Sequence, residues 1–534
     1  MKIKYSKNCA VLLINPTIIS EIPSNLAILG AIFKENGFQV FTSINTFSSH
    51  KNVSDFVCEA KKCNAQIVGI SMMTFQVLQT YYLVRELKKE GMIVVLGGPH
   101  PSDCPEECLQ NECDIVVRNE GEETLRELCL YWKGQDSMPL GEIQGISYLD
   151  KNNKIISTPD RNRINLDTVP RPDFDIFDRA QFLNPDGLVK GVNRIYTSRG
   201  CPGRCTFCDW QVFGQKIRYY NLETVIDDIQ RRIDAFGVTS FNIADDCFTV
   251  NKRRVFEFCE HIQKRNLKIL WQASSRATLV NPDLLKAMKD SGCFQISYGL
   301  ESGDPETLRL TRKGVSLEQN ILAPKMAAAA GLQVYANLMI GFPWETPESL
   351  DNNLKLIHEI WDDVYLFQIS GTLVPFPGTE IYSTNADNYD FENYWLKPEY
   401  QNFGIQTYQN MLNPLAHSTF YQRYLFDDTY IHEEAFFKYT SEYKKKTREI
   451  VHEVGRHNIE TMFKSKPAQI CIHTLCSLSQ LIYDKYPSLE KRIGGWLYKS
   501  KNGDRSKVEK RRDTVRGFVK SDRNVITGTR RKRK

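Results

Sequence analysis

Nowhere in this 534-residue chain do eighteen apolar residues run together, so no segment reads as a membrane span. The first apolar run, residues 11–14, is too short for a signal-peptide core and no small-residue cleavage site follows it, so no secretory leader is expected. A disulfide framework is missing too. Fifteen cysteines, an odd number spread through a long chain, fit a reducing cytoplasm better than an oxidising compartment. The basic C-terminal stretch lacks the interleaved aromatics of a nucleic-acid surface, so a nucleic-acid partner is not expected.

What is present is ordinary in bulk and uneven in detail. Hydrophobic residues make up 41% and charged residues 25%, as in a globular protein, and the length calls for two or three domains. The net charge of +5 hides a split: residues 501–534 carry 14 Lys/Arg against 4 Asp/Glu, leaving the rest of the chain acidic. That tail, ending in Arg530-Arg-Lys-Arg-Lys534, reads as a solvated, poorly ordered extension.

The most informative segment is Ser198-Arg-Gly-Cys-Pro-Gly-Arg-Cys-Thr-Phe-Cys-Asp-Trp210. Cys201, Cys205 and Cys208 stand at Cys-x3-Cys-x2-Cys spacing. A structural zinc site normally closes with four ligands, whereas a cubane iron–sulfur cluster held by three thiolates keeps one iron for a substrate or cofactor. Gly200, Pro202 and Gly203 favour a tight loop, and Arg199 and Arg204 bring positive charge to an anionic cluster. Three unrelated buried thiols, or a zinc site borrowing a distant ligand, are the alternatives.

Two series of alternating strands and helices surround this segment. Apolar runs at 10–15, 39–44, 67–71, 93–96 and 115–117 predict buried parallel strands, with helices at 25–36 and 81–90 stopped by Gly37 and Gly91. A doubly wound sheet follows, and its ligand site belongs at the carboxyl ends of the strands. Pro16, Ser71, Thr74, Gly97, Gly98, Glu120 and Gly121 fall at those ends, Gly97 and Gly98 allowing a close approach of backbone to a bulky ligand. Residues 136–190 form a connector with a small hairpin around Asp150-Lys-Asn-Asn153. The second series has strands at 194–197, 240–244, 269–274, 294–299, 333–340 and 364–370. Its helices fall at 222–236, 252–265, 282–291, 317–330 and 348–359. Six such units predict a partial barrel over 191–385, with chemistry at the strand carboxyl ends. Residues 386–500 are aromatic-rich and mainly helical, with periodicity at 431–463 and 466–485, and are expected to close the barrel mouth over a substrate. The fold class is thus α/β, a doubly wound domain over 1–135 preceding the barrel.

Cys-x3-Cys-x-aromatic-Cys, with Phe207 as the aromatic, resembles the signature of the radical S-adenosylmethionine (SAM) superfamily. Asp245-Asp-Cys-Phe248, Tyr298-Gly-Leu-Glu-Ser-Gly303, Gly341-Phe-Pro-Trp-Glu-Thr346 and Leu373-Val-Pro-Phe-Pro-Gly-Thr-Glu380 are similar to further segments of it. The first 135 residues resemble the cobalamin-binding domain that precedes the barrel in one subfamily, through Gly69-Ile-Ser-Met-Met-Thr74, Gly97-Gly-Pro-His100 and Glu120-Gly-Glu122. They depart from cobalamin carriers that use an Asp-x-His-x-x-Gly motif: residues 42–50 have none, and His50 and His100 read as loop residues.

The resemblance implies a 4Fe-4S cluster on Cys201, Cys205 and Cys208, SAM cleavage to a 5′-deoxyadenosyl radical, a cobalamin, and an electron donor such as a flavodoxin or ferredoxin. For SAM it implies Phe207, Asp245, Glu301 and Ser302, with Arg276 facing the carboxylate because a guanidinium suits bidentate pairing. An ion-pair network at the strand ends is the alternative for Asp245, Asp246, Arg276 and Glu301. The leading expectation is methylation of an unactivated position on a small biosynthetic intermediate. Rearrangement, cyclisation or redox chemistry without methyl transfer is the second, and a nucleic-acid-modifying role through the tail the third.

Overall fold

Why the first strands are apolar at every position becomes clear from where alternate residues go. In β1 (Ala10–Ile19), Val11 and Leu13 enter one hydrophobic core while Leu12 and Ile14 enter another. The strand is buried on both faces, as parallel strands under two helical layers are. The computed structural model describes residues 9–19, 21–46, 51–134, 138–183, 189–397, 437 and 439–462. His50, Cys471, Cys476, the helix expected at 466–485, the aromatics from Tyr400 to Phe426 and the basic tail lie outside the described residues.

After β1 come β2 (Gln39–Thr46), β3 (Ala65–Ser71), β4 (Ile93–Gly97) and β5 (Ile115–Val117). They pair in the parallel order 2-1-3-4-5, the doubly wound arrangement expected. Between them run α1 (Ser24–Glu35), α2 (Val53–Lys62), α3 (Val77–Lys89), the short α4 (Pro99–Asp103) and α5 (Pro105–Gln110), and then α6 (Glu122–Lys133). The hairpin expected in the connector forms as β6 (Ile146–Leu149) and β7 (Ile155–Ser157). It joins the same sheet antiparallel to β5, so the sheet runs past residue 135 and its β5 edge is covered.

The second series opens with β8 (Arg194–Ile195), followed by β9 (Ser198–Arg199) and β10 (Arg218–Tyr219). The latter two form a separate antiparallel ladder, pairing Arg199 with Arg218 and Ser198 with Tyr219. The cysteine segment is therefore the loop of a hairpin. Then α7 (Leu222–Phe236), β11 (Ser240–Ile243), α8 (Lys252–Lys264), β12 (Leu270–Ser275), α9 (Pro282–Asp290) and β13 (Cys293–Glu301) alternate. They continue through α10 (Pro305–Leu310), α11 (Leu317–Ala329), β14 (Gln333–Ile340), α12 (Pro347–Glu359) and β15 (Leu366–Thr372). The strands pair in parallel, in the sequential order 15-14-13-12-11-8, the wall of a partial barrel. Asn221, Asn251, Asn281, Asp304, Ser316 and Thr346 each cap a helix start, accepting a backbone N–H two or three residues into it.

Of the aromatic-rich segment, the helix Ser441–Met462 packs along α12 and the edge strand β15. Asn458 there takes the place of a neighbouring strand: its Oδ1 accepts from Phe367 N (2.9 Å) and its Nδ2 donates to Phe367 O (2.7 Å). Among the described residues no helix is long and apolar enough to cross a membrane.

Candidate active site at the cysteine loop

Gly200 turns the chain out of β9 at φ +93°, where a Cβ would lie 2.7 Å from Lys216 O. Its N–H donates to Asp246 Oδ2 (2.8 Å), and Cys201 N donates to Gly214 O (3.3 Å), closing the loop base. Asp245 takes four bonds: from Thr197 N and Oγ1 (both 2.6 Å) and from Ser198 N (3.1 Å) and Oγ (2.7 Å). Both of its oxygens are spent on the strand leading into the loop. All four donors are neutral amide and hydroxyl groups, so Asp245 fixes the strand leading into the loop without an ion pair.

Cys205 and Cys208 face positive charge. Arg276, just past β12, points Nη2 to 4.0 Å from Cys205 Sγ, and Gly203 makes room for it, since a Cβ there would meet Arg276 Nη1 at 2.6 Å. Lys313, in the loop after α10, is buried and donates to Glu301 Oε1 (2.6 Å). A hydrogen bond from Cys208, helped by the cations of Lys313 and Arg276, draws the Cys205 thiol down to about 6, and the same bond drives the Cys208 thiol up. Metal-ligating thiolates need such an environment. Cys247 stays outside the set, its thiol pushed up to about 11 by burial.

Glu301 ends β13 in the left-handed region, φ +62°, a strained setting for a side chain of this size. Gly299 has no Cβ to collide with the Glu301 carboxylate or Lys313 Nζ. Arg276 is thus brought to Cys205, and Glu301 to the same loop within electrostatic reach of Cys208. Ser302 is not. Its Oγ donates to Asn353 Oδ1 (2.9 Å) and accepts from Asp304 N (3.1 Å), so it fixes the turn after β13 instead of offering a hydroxyl to SAM. Phe207 turns its ring to Phe342 (5.8 Å, 62°), which stacks on Trp344 (5.4 Å, 15°). Lys313 carries no motif in the sequence that would have picked it out; only its place beside Glu301 does.

At the strand ends of the upstream sheet the expected residues mostly serve one another. Pro16 O accepts from Asn45 Nδ2 (2.8 Å), and Ser71 Oγ accepts from Asn25 Nδ2 (3.0 Å). Thr74 Oγ1 lies 3.3 Å from Nδ1 of His100, whose Nε2 lies 3.2 Å from Glu107 Oε1. His100 is fully buried and stands in α4, not in the loop expected of it, with both ring nitrogens facing protein partners. Gly97 O accepts from Met72 N (2.9 Å), and Gly98, at φ +109°, is needed for an approach of the chain to itself: a Cβ would lie 2.8 Å from Met72 O. Gly121 caps α6. Glu120 departs most from expectation, since its carboxylate accepts from Arg218 (2.8 and 3.0 Å) and Arg199 (3.0 Å) and faces no crevice.

Other polar groups there have no protein partner. Thr17 Oγ1 near the end of β1, Ser24 Oγ at the start of α1 and Gln76 Nε2 after β3 are buried without a hydrogen bond. Buried unpaired donors and acceptors are costly, and a polar ligand at these strand ends would satisfy them.

Comparison with known proteins places this geometry. The radical SAM superfamily model matches residues 195–357 and the B12 binding domain model matches residues 20–129. An uncharacterised methyltransferase of Pyrococcus horikoshii is 34% identical over 368 residues, covering 67% of this chain and 77% of that protein. The anaerobic magnesium-protoporphyrin IX monomethyl ester cyclase of Rubrivivax gelatinosus is 25% identical, covering 70% and 68%. In fold, the chain is similar to the cobalamin-dependent SAM radical enzyme OxsB, solved with aqua-cobalamin and SAM bound, at a TM-score of 0.63 with 19% identity over 89% of this chain and 75% of that one. With its three-cysteine hairpin loop at the mouth of a parallel barrel wall and a doubly wound domain upstream, the chain belongs to the radical SAM superfamily, among the members that carry a B12 binding domain.

Proposed function

We propose that the protein is a cobalamin-dependent radical SAM methyltransferase acting on a small molecule, with Cys201, Cys205 and Cys208 as the cluster ligands. The observation that carries this reading is the meeting of that loop with Arg276, Lys313 and Glu301 at the strand carboxyl ends. A three-thiolate 4Fe-4S cluster, when bound, supplies the electron that cleaves SAM to a 5′-deoxyadenosyl radical. The residues present fit that group: the loop is pinned on both sides, and the Arg276 and Lys313 cations favour the anionic form of the Cys205 thiol.

Arg276 and Lys313 are suited to hold the SAM carboxylate beside the cluster, and Glu301 to orient Lys313 and accept from an amino or hydroxyl group. The aromatic stack of Phe207, Phe342 and Trp344 would screen the site from water. Upstream, Thr17, Ser24 and Gln76 would hold the polar periphery of a corrin, whose cobalt supplies a methyl carrier. His100 cannot reach a cobalt without giving up Thr74 and Glu107, so cobalamin would be held without this histidine as a ligand. A flavodoxin or ferredoxin would deliver the electron.

The cyclase among the relatives supports a second reading, in which the same cofactors act without methyl transfer. Anaerobically reconstituted protein given reductant, methyl-labelled SAM and a small-molecule extract separates the two. Methyl transfer predicts 5′-deoxyadenosine together with label in a product, whereas deoxyadenosine with the label confined to SAM favours the second reading. Cys205→Ala should abolish deoxyadenosine in either case, and its persistence would overturn the cluster assignment.

A further inference from the structure

Glu120 belongs to the loop between β5 and α6, the fifth strand-end loop of the upstream domain, yet its carboxylate serves the cysteine hairpin. Its Oε1 accepts from Arg199 Nη1 (3.0 Å) and Arg218 Nη2 (3.0 Å), and its Oε2 from Arg218 Nη1 (2.8 Å). Arg199 also meets Glu122 Oε1 at 2.7 Å. All four side chains are nearly or fully withdrawn from solvent, Glu120 at 3% and Arg199 at 7% exposure. Two arginines and two glutamates pair within the group, with Arg163 in electrostatic reach of Glu120 and Arg218, and paired charge is the condition under which burial is tolerated.

The position of the two arginines gives the group its meaning. Arg199 and Arg218 are direct partners across the β9–β10 ladder, one strand leading into the cysteine loop and the other leading out. Like charges directly opposite one another on a strand pair repel, and here they do so away from water. Glu120 bridges them, so it holds the hairpin base shut. Arg218 further donates to Phe213 O (3.1 Å) inside the loop and to Ile164 O (2.9 Å). Without the Glu120 carboxylate the base of the hairpin would splay, and the cysteines two to nine residues beyond Arg199 would lose their register.

We propose that Glu120 is a positioning residue for the cluster loop, lent to it by the upstream domain. That domain then has two roles: its first and third strand ends face a ligand, and its fifth completes the site in the barrel. The inference rests on the cluster reading above.

The test uses the full chain, reconstituted anaerobically, as wild type, Glu120→Gln and Glu123→Gln. Glu123 neighbours the network but pairs with Arg126 on the surface, so its variant is the control. Iron and sulfide content, the electron paramagnetic resonance spectrum of the reduced cluster with and without SAM, and the thermal transition are recorded for each. Folded Glu120→Gln should show a broadened cluster spectrum, a reduced response to SAM and a fall of about 10-fold or more in deoxyadenosine formation per iron, the size typical of lost outer-shell support. Glu123→Gln should match wild type. A wild-type spectrum and SAM response in Glu120→Gln would overturn the proposal. Should that variant fail to fold, Glu120→Asp, which keeps the charge one carbon short, is judged by the same signals. Absence of iron from the wild type would instead overturn the cluster reading itself.

Discussion

Lys313 and Glu301 form a buried ion pair, Nζ to Oε1 at 2.6 Å, within the electrostatic reach of Cys205. Twelve residues separate them, and α10 makes the return between them possible. A cation fixed this way is held ready for an anionic ligand without reorganising, which is how preorganised charge contributes most in a site screened from water.

Replacing Lys313 with Met should therefore do two separable things. It leaves Glu301 charged and unpaired, a loss on the order of 3–5 kcal/mol for a buried pair broken on one side. It also removes the cation proposed to hold the SAM carboxylate, so deoxyadenosine formation should fall even in the folded fraction. In the double variant Lys313→Met/Glu301→Gln, the thermal midpoint should recover most of the stability while SAM cleavage stays low. Recovery of both together would mean that the pair is purely structural.

Asp245 offers a sharper contrast between a structural and a cofactor-facing carboxylate. Asn at this position keeps one acceptor oxygen and turns the other into a donor, facing Thr197 and Ser198 groups that now donate. Asp245→Asn should lower unfolding stability by about 2–3 kcal/mol, one to two hydrogen bonds to a charged acceptor. Its effect on SAM affinity, measured by equilibrium dialysis on the protein that remains folded, should be small. A large loss of SAM affinity with unchanged stability would return Asp245 to the cofactor.

Much of this was legible in the residues, and the exceptions share a cause. The strands of both sheets were readable because residues such as Leu12 and Val68 sit in unbroken apolar runs, and the first helices because Gly37 and Gly91 mark their ends. The three cysteines and Arg276 follow from spacing and from the end of a strand. Glu120, Ser302 and Gly98 also lie at strand ends, but position at a strand end does not say whether a polar group meets a ligand or another loop. Glu120 meets Arg199, 79 residues away, and Gly98 meets Met72. Such pairings depend on how two loops from different strands approach, which no local pattern encodes. No local pattern marks Lys313 or Asn458 either, since each acts on a partner outside its own element.

Glu345 gives a prediction in pH. It sits in the turn after β14, where Oε2 accepts from Gly341 N (2.7 Å), Phe342 N (3.1 Å) and the Tyr443 hydroxyl (2.7 Å), while Oε1 is buried with no partner. Tyr443 thereby ties the helix Ser441–Met462 to the turn, and its hydroxyl also accepts from Gly341 N (3.0 Å). Burial pushes the Glu345 carboxyl up to about 7. In the unfolded chain the same group titrates near its ordinary value of about 4.3. Between those two values the folded protein keeps a proton that the unfolded chain has released, so the contribution is whole below the lower value and is lost as pH rises through the upper one. Glu345→Gln preserves an acceptor for the two amides and cannot titrate. The stability of this variant relative to wild type should therefore climb from pH 4.5 to about 7 and level off above it, by at most about 3–4 kcal/mol over the window. Urea midpoints for both proteins at half-unit pH steps measure the difference. A flat difference across that window would mean that Glu345 ionises at its ordinary pH inside the fold, and that the Tyr443 and backbone donors outweigh burial.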